Sequence, residues 1–364
     1  MLIGVLGGGQ LGRMLALAGV PLGMRFRFLD PSPEAPAGHV GELIVGSYED
    51  RAALDRFAAG VDVVTYEFEN VPADAAAYLA ARGRVAPTPD ALRVAQDRMN
   101  ETHLFHACGL NLHTKVWPME RAGLSAAAAS IGLPLVVKAR RGGYDGKGQA
   151  IVRTLAELEA EWDRRSGRDV FLESFVPFTR ELSLVAVRGE DGTFVAYPLV
   201  ENVHRGGILR RTTAPAPNVS PALQQQAETH LRAIMERLGY VGVLAVEFFE
   251  HEGRLLANEM APRVHNTGHW TIEGAATSQF ENHCRAVAGL PLGDTRSLGP
   301  AVMVNLIGDI PDPRVVLAIP GAHLHLYGKA PRAGRKVGHV TLTGLDEAAV
   351  AQSLARVEAL PGAL

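Results

Sequence analysis

Lys138 closes the apolar run "LPLVV", and the twelve residues after it, "ARRGGYDGKGQA", carry four glycines among three cations, one aspartate and one tyrosine. A lysine on an apolar strand needs an anion, and glycines let backbone N–H groups come close to phosphate oxygens. The phosphate loop of G-x-x-x-x-G-K-[ST] form is excluded, because Lys147 is followed by Gly148 and then by the strand-like "QAIVR". What remains is a glycine-rich hairpin, either closing over phosphates or lying as a plain surface turn. A second constellation is "VEFFEHEGRLLANEMAPR", a hairpin with its turn at Glu252-Gly253. It places Glu247 opposite Glu259, with Asn258 alongside, as hard-oxygen donors of the kind magnesium takes. A one-residue slip would turn Glu259 to the other face, leaving two surface glutamates. Val243, Ala245 and Phe249, on the same face as Glu247, favour the inward reading.

Four further motifs carry weaker chemistry. "YEFEN" sets Glu67 and Glu69 at the end of a strand, where two carboxylates want a cationic or amino-bearing partner or else are simply solvated. "GVLGGGQLG", with Asp30 ending the next strand, has the dinucleotide spacing, a pattern that also occurs at tight turns holding other phosphates or none. "RVHNTGHW" spaces His265 and His269 four apart without the H-E-x-x-H pattern, and Gly268 disfavours a regular helix, so polar substrate contacts fit better than zinc. "YGKAPRAGRKVGH" gathers Lys329, Arg332, Arg335 and Lys336 into a phosphomonoester pocket or a solvated charge run.

The elements that must hold these residues alternate in the first ninety positions between short apolar strands and helical patterns, which implies βαβ crossovers and an open parallel sheet. One helix is expected from Thr88-Pro89-Asp90 to a stop at Gly109. "RAGLSAAAASIG" reads as a surface helix. "LPLVVKA", "GQAIVR" and "DVFLESFV" form the strands of a small α+β unit around the helix "TLAELEAEWDRR", and from Glu181 antiparallel hairpins take over. The tail gives two strands around the basic loop and a closing helix. The fold class is thus α/β and α+β, multidomain, as the length of 364 residues suggests.

Composition narrows the function classes. A net charge of −3, from 36 basic and 39 acidic residues, gives no general pull toward nucleic acid or anionic membrane. No apolar run reaches membrane-spanning length, and the N-terminus lacks the basic start of a signal peptide. Two isolated cysteines, Cys108 and Cys284, fit core fillers in a reducing, cytoplasmic compartment.

In their order along nearly the whole chain, "GGGQLGRM", "YEFENV", "QDR", "GGYDGKGQ", "NEMAPRVHNTGHW" and "YGK" followed by "GRKVGHV" resemble the markers of the N5-carboxyaminoimidazole ribonucleotide synthetase family of ATP-grasp enzymes in purine biosynthesis. The resemblance implies a preATP-grasp α/β domain (1–95), a linking helix and ATP-grasp lid (96–180), an ATP-grasp core (181–295) and a small β-rich C-terminal domain (296–364). It implies ATP contacts at Arg98, Lys138, Gly143, Tyr144, Asp145, Gly146, Lys147, Gly148 and Gln149. Further ATP contacts fall on Glu173, Ser174, Phe175 and Val176, which would read adenine, on Glu181 for the ribose, and on His204, Asn258 and Glu259. Glu247 and Glu259 would hold magnesium, or manganese in its place.

The same resemblance sets aminoimidazole ribonucleotide against Gln10, Leu11, Glu67, Asn266, Lys329, Arg335 and Lys336. Arg263 and His265 would flank the bicarbonate-derived group, with Asp145 or His265 assisting proton removal and Lys138 meeting phosphoryl charge. Val264 stands where the family has proline, which implies a change in loop rigidity. A homodimer is implied as well. The alternatives are another ATP-grasp ligase or formyltransferase, an NAD-dependent oxidoreductase resting on the first glycine motif and Asp30, or a non-catalytic nucleotide-binding module, against which Glu247 and Glu259 argue.

Overall fold

The computed structural model describes residues 1–143, 148–165, 169–344 and 346–363. Tyr144, Asp145, Gly146 and Lys147, expected to contact ATP, lie outside them.

Three sheets organise the chain. Strands β1 (Leu2–Leu6), β2 (Arg25–Asp30), β3 (Glu42–Val45) and β4 (Val63–Tyr66) form the expected parallel sheet in the order β3-β2-β1-β4. The chain crosses over between β1 and β4, so the carboxyl ends of these two neighbours open at a topological switch point, where parallel sheets place their sites. A second, antiparallel sheet joins β5 (Lys115–Val116), β6 (Leu135–Ala139), β7 (Gln149–Val152) and β8 (Val170–Ser174) in the order β5-β8-β6-β7. Leu124, Ala127 and Ala128 of the alanine-rich helix and Leu158 and Trp162 of the helix Leu155–Arg164 seal it from one side.

The third sheet holds nine strands: β9 (Arg180–Arg188), β10 (Phe194–Ala196), β11 (Val200–Arg205), β12 (Ile208–Ala214), β13 (Gly242–His251), β14 (Arg254–Ala261), β15 (Ala301–Ile307), β16 (Ala322–Leu326) and β17 (Lys336–Leu342). Their order is β14-β13-β9-β11-β12-β15-β17-β16, with β10 paired to β9. The C-terminal strands therefore continue the central sheet through the β12–β15 pairing, and residues on β15 and β17 can reach the site by lateral register alone.

One apolar cluster runs from Ile3, Val5 and Leu15 of the first unit to Val185, Val243 and Met303 of the central sheet, and takes in Trp270 at the head of the helical turn Thr271–Gly274. His283 reinforces that junction: one ring nitrogen lies 2.8 Å from Thr65 Oγ1 on β4, and the other accepts the Val243 N–H of β13 at 3.1 Å. Burial lowers the His283 pKa to about 4, so the neutral ring can accept from Val243.

The expected helix from Thr88 to Gly109 is two helices, Pro89–Ala95 and Arg98–Ala107. Asp97 breaks it. Its carboxylate caps the second helix by accepting from Met99 N at 3.0 Å and takes two bonds from Arg140, both at 2.8 Å, and one at 2.8 Å from Arg141 Nη2. Burial opposes ionisation of Asp97, yet the two guanidinium partners outweigh it and lower its pKa to about 2. The root of the glycine-rich hairpin is thus tied to the linking segment, and Arg140 O accepts from Arg98 N at 3.1 Å.

Candidate active site

Counting back from the Glu252-Gly253 turn, where both residues have positive φ (50° and 72°), His251 pairs with Arg254 and Phe248 with Ala257. The register then shifts and Glu247 pairs with Glu259. Asn258 is the extra residue of this β-bulge. Without the bulge Glu247 would face Asn258 and Glu259 would point away; with it both carboxylates share a face, a common use of bulges beside active sites. Glu247 is pushed up by burial first and by the Glu259 charge second. Burial also works against ionised Glu259, but Arg98, which donates to it, and Lys138 hold it below the ordinary carboxylate range. One carboxylate is anchored and its neighbour is frustrated by like charge, an arrangement a divalent cation relieves.

Arg98 heads its helix and bridges Glu259 to Glu101, 2.9 Å from the latter. Glu101 is buried and also accepts from Met260 N at 2.7 Å, which fixes Arg98 against β14. Lys138 finds the anion its setting requires on the next strand: its Nζ is 2.6 Å from Glu173 and 3.4 Å from Asn258 Oδ1. Lys138 therefore links the lid sheet to the bulge of the central sheet. Glu173 is buried against burial's own penalty, with Lys138, His113 and Lys115 lowering its pKa to about 2. Its side chain is thereby committed to its neighbours on the lid sheet; Ser174 ends β8, and Phe175 and Val176 follow it. Phe178 and Phe249 stack there at 4.6 Å. On the other wall Glu181 lies 3.0 Å from His204 Nδ1; burial opposes protonation of His204, but Glu181 and Glu247 raise its pKa overall.

His265 joins this cleft to the far end of the site. Its Nε2 is 3.7 Å from Glu247, and its Nδ1 is 2.8 Å from Thr267 Oγ1. Burial, then Arg263, lowers its pKa to about 3, so the ring is neutral near neutral pH. Arg263 donates to Glu69, which Arg263 brings down to about 2 against the cost of burial. Val264, between the two, is fully buried in the core and anchors the loop by packing. His269 is buried as well and sits away from the cleft, among Phe280, Tyr327 and His339.

Gln10 accepts from Lys329, while Arg335 folds back on its own loop at Ala330 O, 3.3 Å away. Burial lowers the Lys329 pKa to about 8 despite the nearby Glu67. Leu11 is buried in the core under this corner, and Lys336 begins β17. Glu67 also turns toward the glycine-rich loop. Its two oxygens accept from Gly9 N at 2.6 Å and Gly12 N at 2.8 Å, and Asp30 accepts from Gly8 N at 2.8 Å. The protein's own carboxylates thus occupy the amides that a dinucleotide pyrophosphate would need, which removes the physical basis of the oxidoreductase alternative. A Cβ at Gly9 would sit 2.3 Å from Glu67 Oε1. Gly9→Ala is therefore expected to lower stability by about 2 kcal/mol through overpacking and lost hydrogen bonds, read as a fall in the urea midpoint; an unchanged midpoint would refute this account of Glu67.

Asp97, Glu101 and Asn305 are site-supporting residues that motif reasoning missed. Asp97 stood inside the quoted "QDR", and Asn305 is the only polar residue in the apolar strand "AVMVNLI", a usable signal. Glu101 gave no local sign.

A small lid sheet facing a large antiparallel sheet across paired carboxylates defines an ATP-grasp ligase. The ATP-grasp domain matches residues 104–280, the ribonucleotide synthetase preATP-grasp domain residues 1–96, and the phosphoribosylaminoimidazole carboxylase C-terminal domain residues 301–353. N5-carboxyaminoimidazole ribonucleotide synthase of Pseudomonas aeruginosa is 52% identical, with 99% of each chain covered. The crystal structure of N5-carboxyaminoimidazole ribonucleotide synthetase from Thermus thermophilus superposes with a TM-score of 0.96 at 56% identity, covering 100% of this chain and 99% of the other. The Aspergillus clavatus enzyme, solved with ADP and 5-aminoimidazole ribonucleotide, superposes at 0.90 with 32% identity and 98% of both chains covered. The chain belongs to the N5-carboxyaminoimidazole ribonucleotide synthase family, ATP-dependent ligases of purine biosynthesis.

Proposed function

We propose that the chain carboxylates 5-aminoimidazole ribonucleotide at its exocyclic amine, using bicarbonate and ATP. The observation that carries this reading is the row of side chains that starts at the Arg98–Glu259 pair, crosses to Glu247 and His265, and ends at the Arg263–Glu69 pair two residues before His265. In this reading the row runs from the nucleotide toward the substrate end of the site, where Lys329 donates to Gln10.

ATP lies between the sheets, with Glu181 and His204 at the ribose and the 173–176 segment along adenine. Lys138, Arg98 and the hairpin amides of Gly143, Gly148 and Gln149 meet the phosphates. Bicarbonate attacks the γ-phosphate, giving carboxyphosphate and ADP, and catalysis is chiefly positioning and charge stabilisation. Glu247 and Glu259, one anchored and one frustrated, suit magnesium or manganese, which supplies charge neutralisation at the phosphoryl oxygens when bound. Arg263 then holds the carboxyl group while the amine of the ribonucleotide attacks it, or the CO2 it releases, forming the N–C bond and expelling phosphate.

The amine proton leaves through Asp145 or His265. Because burial keeps the His265 ring neutral, it has a lone pair to accept that proton, though only weakly basic. Lys329, Arg335 and Lys336 bind the substrate phosphate; Glu67 fixes the loop that carries Gln10, and Asn266 flanks the substrate. Two free cysteines fit a cytoplasmic setting, and a homodimer follows the family resemblance.

The direct test measures ADP release with ATP and magnesium while the ribonucleotide and bicarbonate are added separately and together. Rapid ADP release and a carbamate product are expected only when the ribonucleotide and bicarbonate are present together. Release that ignores the ribonucleotide would sink the assignment.

A further inference from the structure

On β17 His339 lies directly opposite Asn305 of β15 on one side and His325 of β16 on the other. Residues paired across antiparallel strands project from the same face, so the three form a polar row across the C-terminal strands. Each of them holds one residue of the segment that follows His265. Asn266 Nδ2 donates to Asn305 Oδ1 at 3.0 Å, and Asn305 Nδ2 returns a bond to Asn266 Oδ1 at 2.8 Å and another to Leu209 O at 3.0 Å. The His339 ring lies 4.9 Å from that of His269. His325 Nε2 meets Glu273 Oε1 at 2.6 Å.

The held residues, 266, 269 and 273, are three and four apart, the spacing of one face of a helical stretch. The chain there runs through a 3-10 turn at Asn266–Gly268 and a helical turn at Thr271–Gly274. His339 also stacks on His325 at 4.4 Å and lies 2.8 Å from Tyr327 OH, two residues before Lys329. The segment after His265 and the strand end that leads to Lys329 therefore reach the same ring.

Burying an amide and imidazoles costs more than burying leucines of similar volume, the more so as His339 Nε2 has no hydrogen-bond partner among the described residues. None of these groups faces the reacting atoms. The hydrogen bonds of Asn305 and His325 do, however, fix one segment in one register, with the His339 ring packed between them, and misplacing a reactive group by an ångström costs on the order of 10²-fold in rate. We infer that Asn305, His339 and His325 are positioning residues, a rack that sets the Arg263–Asn266 segment against the Lys329 turn. This rests on the reading of Arg263 and His265 as facing the carboxyl-transfer step.

The test compares His325→Phe, His325→Gln and Asn305→Ala with the parent and with His265→Ala. It reads KM for the aminoimidazole ribonucleotide, affinity for ADP, and carbamate formed per ADP released. His325→Phe and Asn305→Ala are expected to raise that KM about tenfold and lower the yield of carbamate, with ADP affinity within about twofold. His325→Gln keeps a donor for Glu273 and is expected to recover most of the loss.

The proposal is overturned by a folded His325→Phe with parental KM and yield, by ADP affinity falling in step with KM, or by His325→Gln behaving like His325→Phe. The His325 side chain is 26% exposed, so this pair decides the matter even where Asn305→Ala does not fold. Undiminished carbamate from His265→Ala would instead refute the site reading; a dead His265→Ala beside a normal His325→Phe refutes the rack alone.

Discussion

Glu259→Gln is expected to reduce turnover by roughly 10²–10³-fold, the scale on which single stabilisers of transition-state charge act, while shifting the thermal midpoint by only about 3 °C. Two opposing effects keep the fold intact. The glutamine can still accept from Arg98, which also keeps Glu101, and Glu247 is relieved of the like charge that helps to push it up. What the variant loses is the second charged oxygen donor of the pair, so raising magnesium should recover part of the rate. Initial rates against magnesium concentration, with thermal unfolding of the same samples, check this. Parental turnover would refute the role given to Glu259, and loss of the fold would show that its ion pair with Arg98 is structural first.

The elements closest to the chemistry were legible where local pattern and local cause coincide. Alternating apolar runs and helical patterns announced the parallel sheet, and Glu252-Gly253 announced the hairpin that carries Glu247 and Glu259. The same hairpin shows the limit. Its turn alone would pair Glu247 with Asn258, and only the bulge brings Glu259 to face it; nothing in the local residue types marks a bulge there. Lys138 was rightly expected to need an anion, yet the nearest one in the structure is Glu173, thirty-five positions on and on the neighbouring strand.

Long-range causes account for the remainder. The break at Asp97 is held by Arg140 and Arg141, more than forty positions later. The glycine motif near the N-terminus reads as an anion cradle until Glu67 and Asp30 are seen filling it. That the C-terminal strands join the central sheet was likewise not legible, because the β12–β15 pairing links segments about ninety residues apart.

Arg263→Met should abolish carbamate formation and also destabilise the protein, and the two losses can be separated. Removing one member of a buried ion pair strands the other; Glu69 remains 26% exposed, so the cost is expected at the lower end for such pairs, about 2–3 kcal/mol. In the parent, the Glu69 pKa is lowered to about 2. A depressed carboxylate contributes stability that is fully present above its unfolded value and is lost as pH falls through the folded one. In the variant, burial acts on Glu69 without the Arg263 charge to oppose it, and the pKa rises.

The stability gap between parent and variant should therefore be widest at neutral pH and close as the solution is acidified below about pH 4.5. Denaturant unfolding across that range reads it; a gap constant with pH would show that Arg263 contributes packing rather than pairing. Adding Glu69→Gln to Arg263→Met removes the stranded charge and should restore most of the stability without restoring carbamate formation. Recovery of both together would mean that Arg263 serves the reaction only by holding Glu69, whereas recovery of stability alone leaves the guanidinium as the group that meets the carboxyl being transferred.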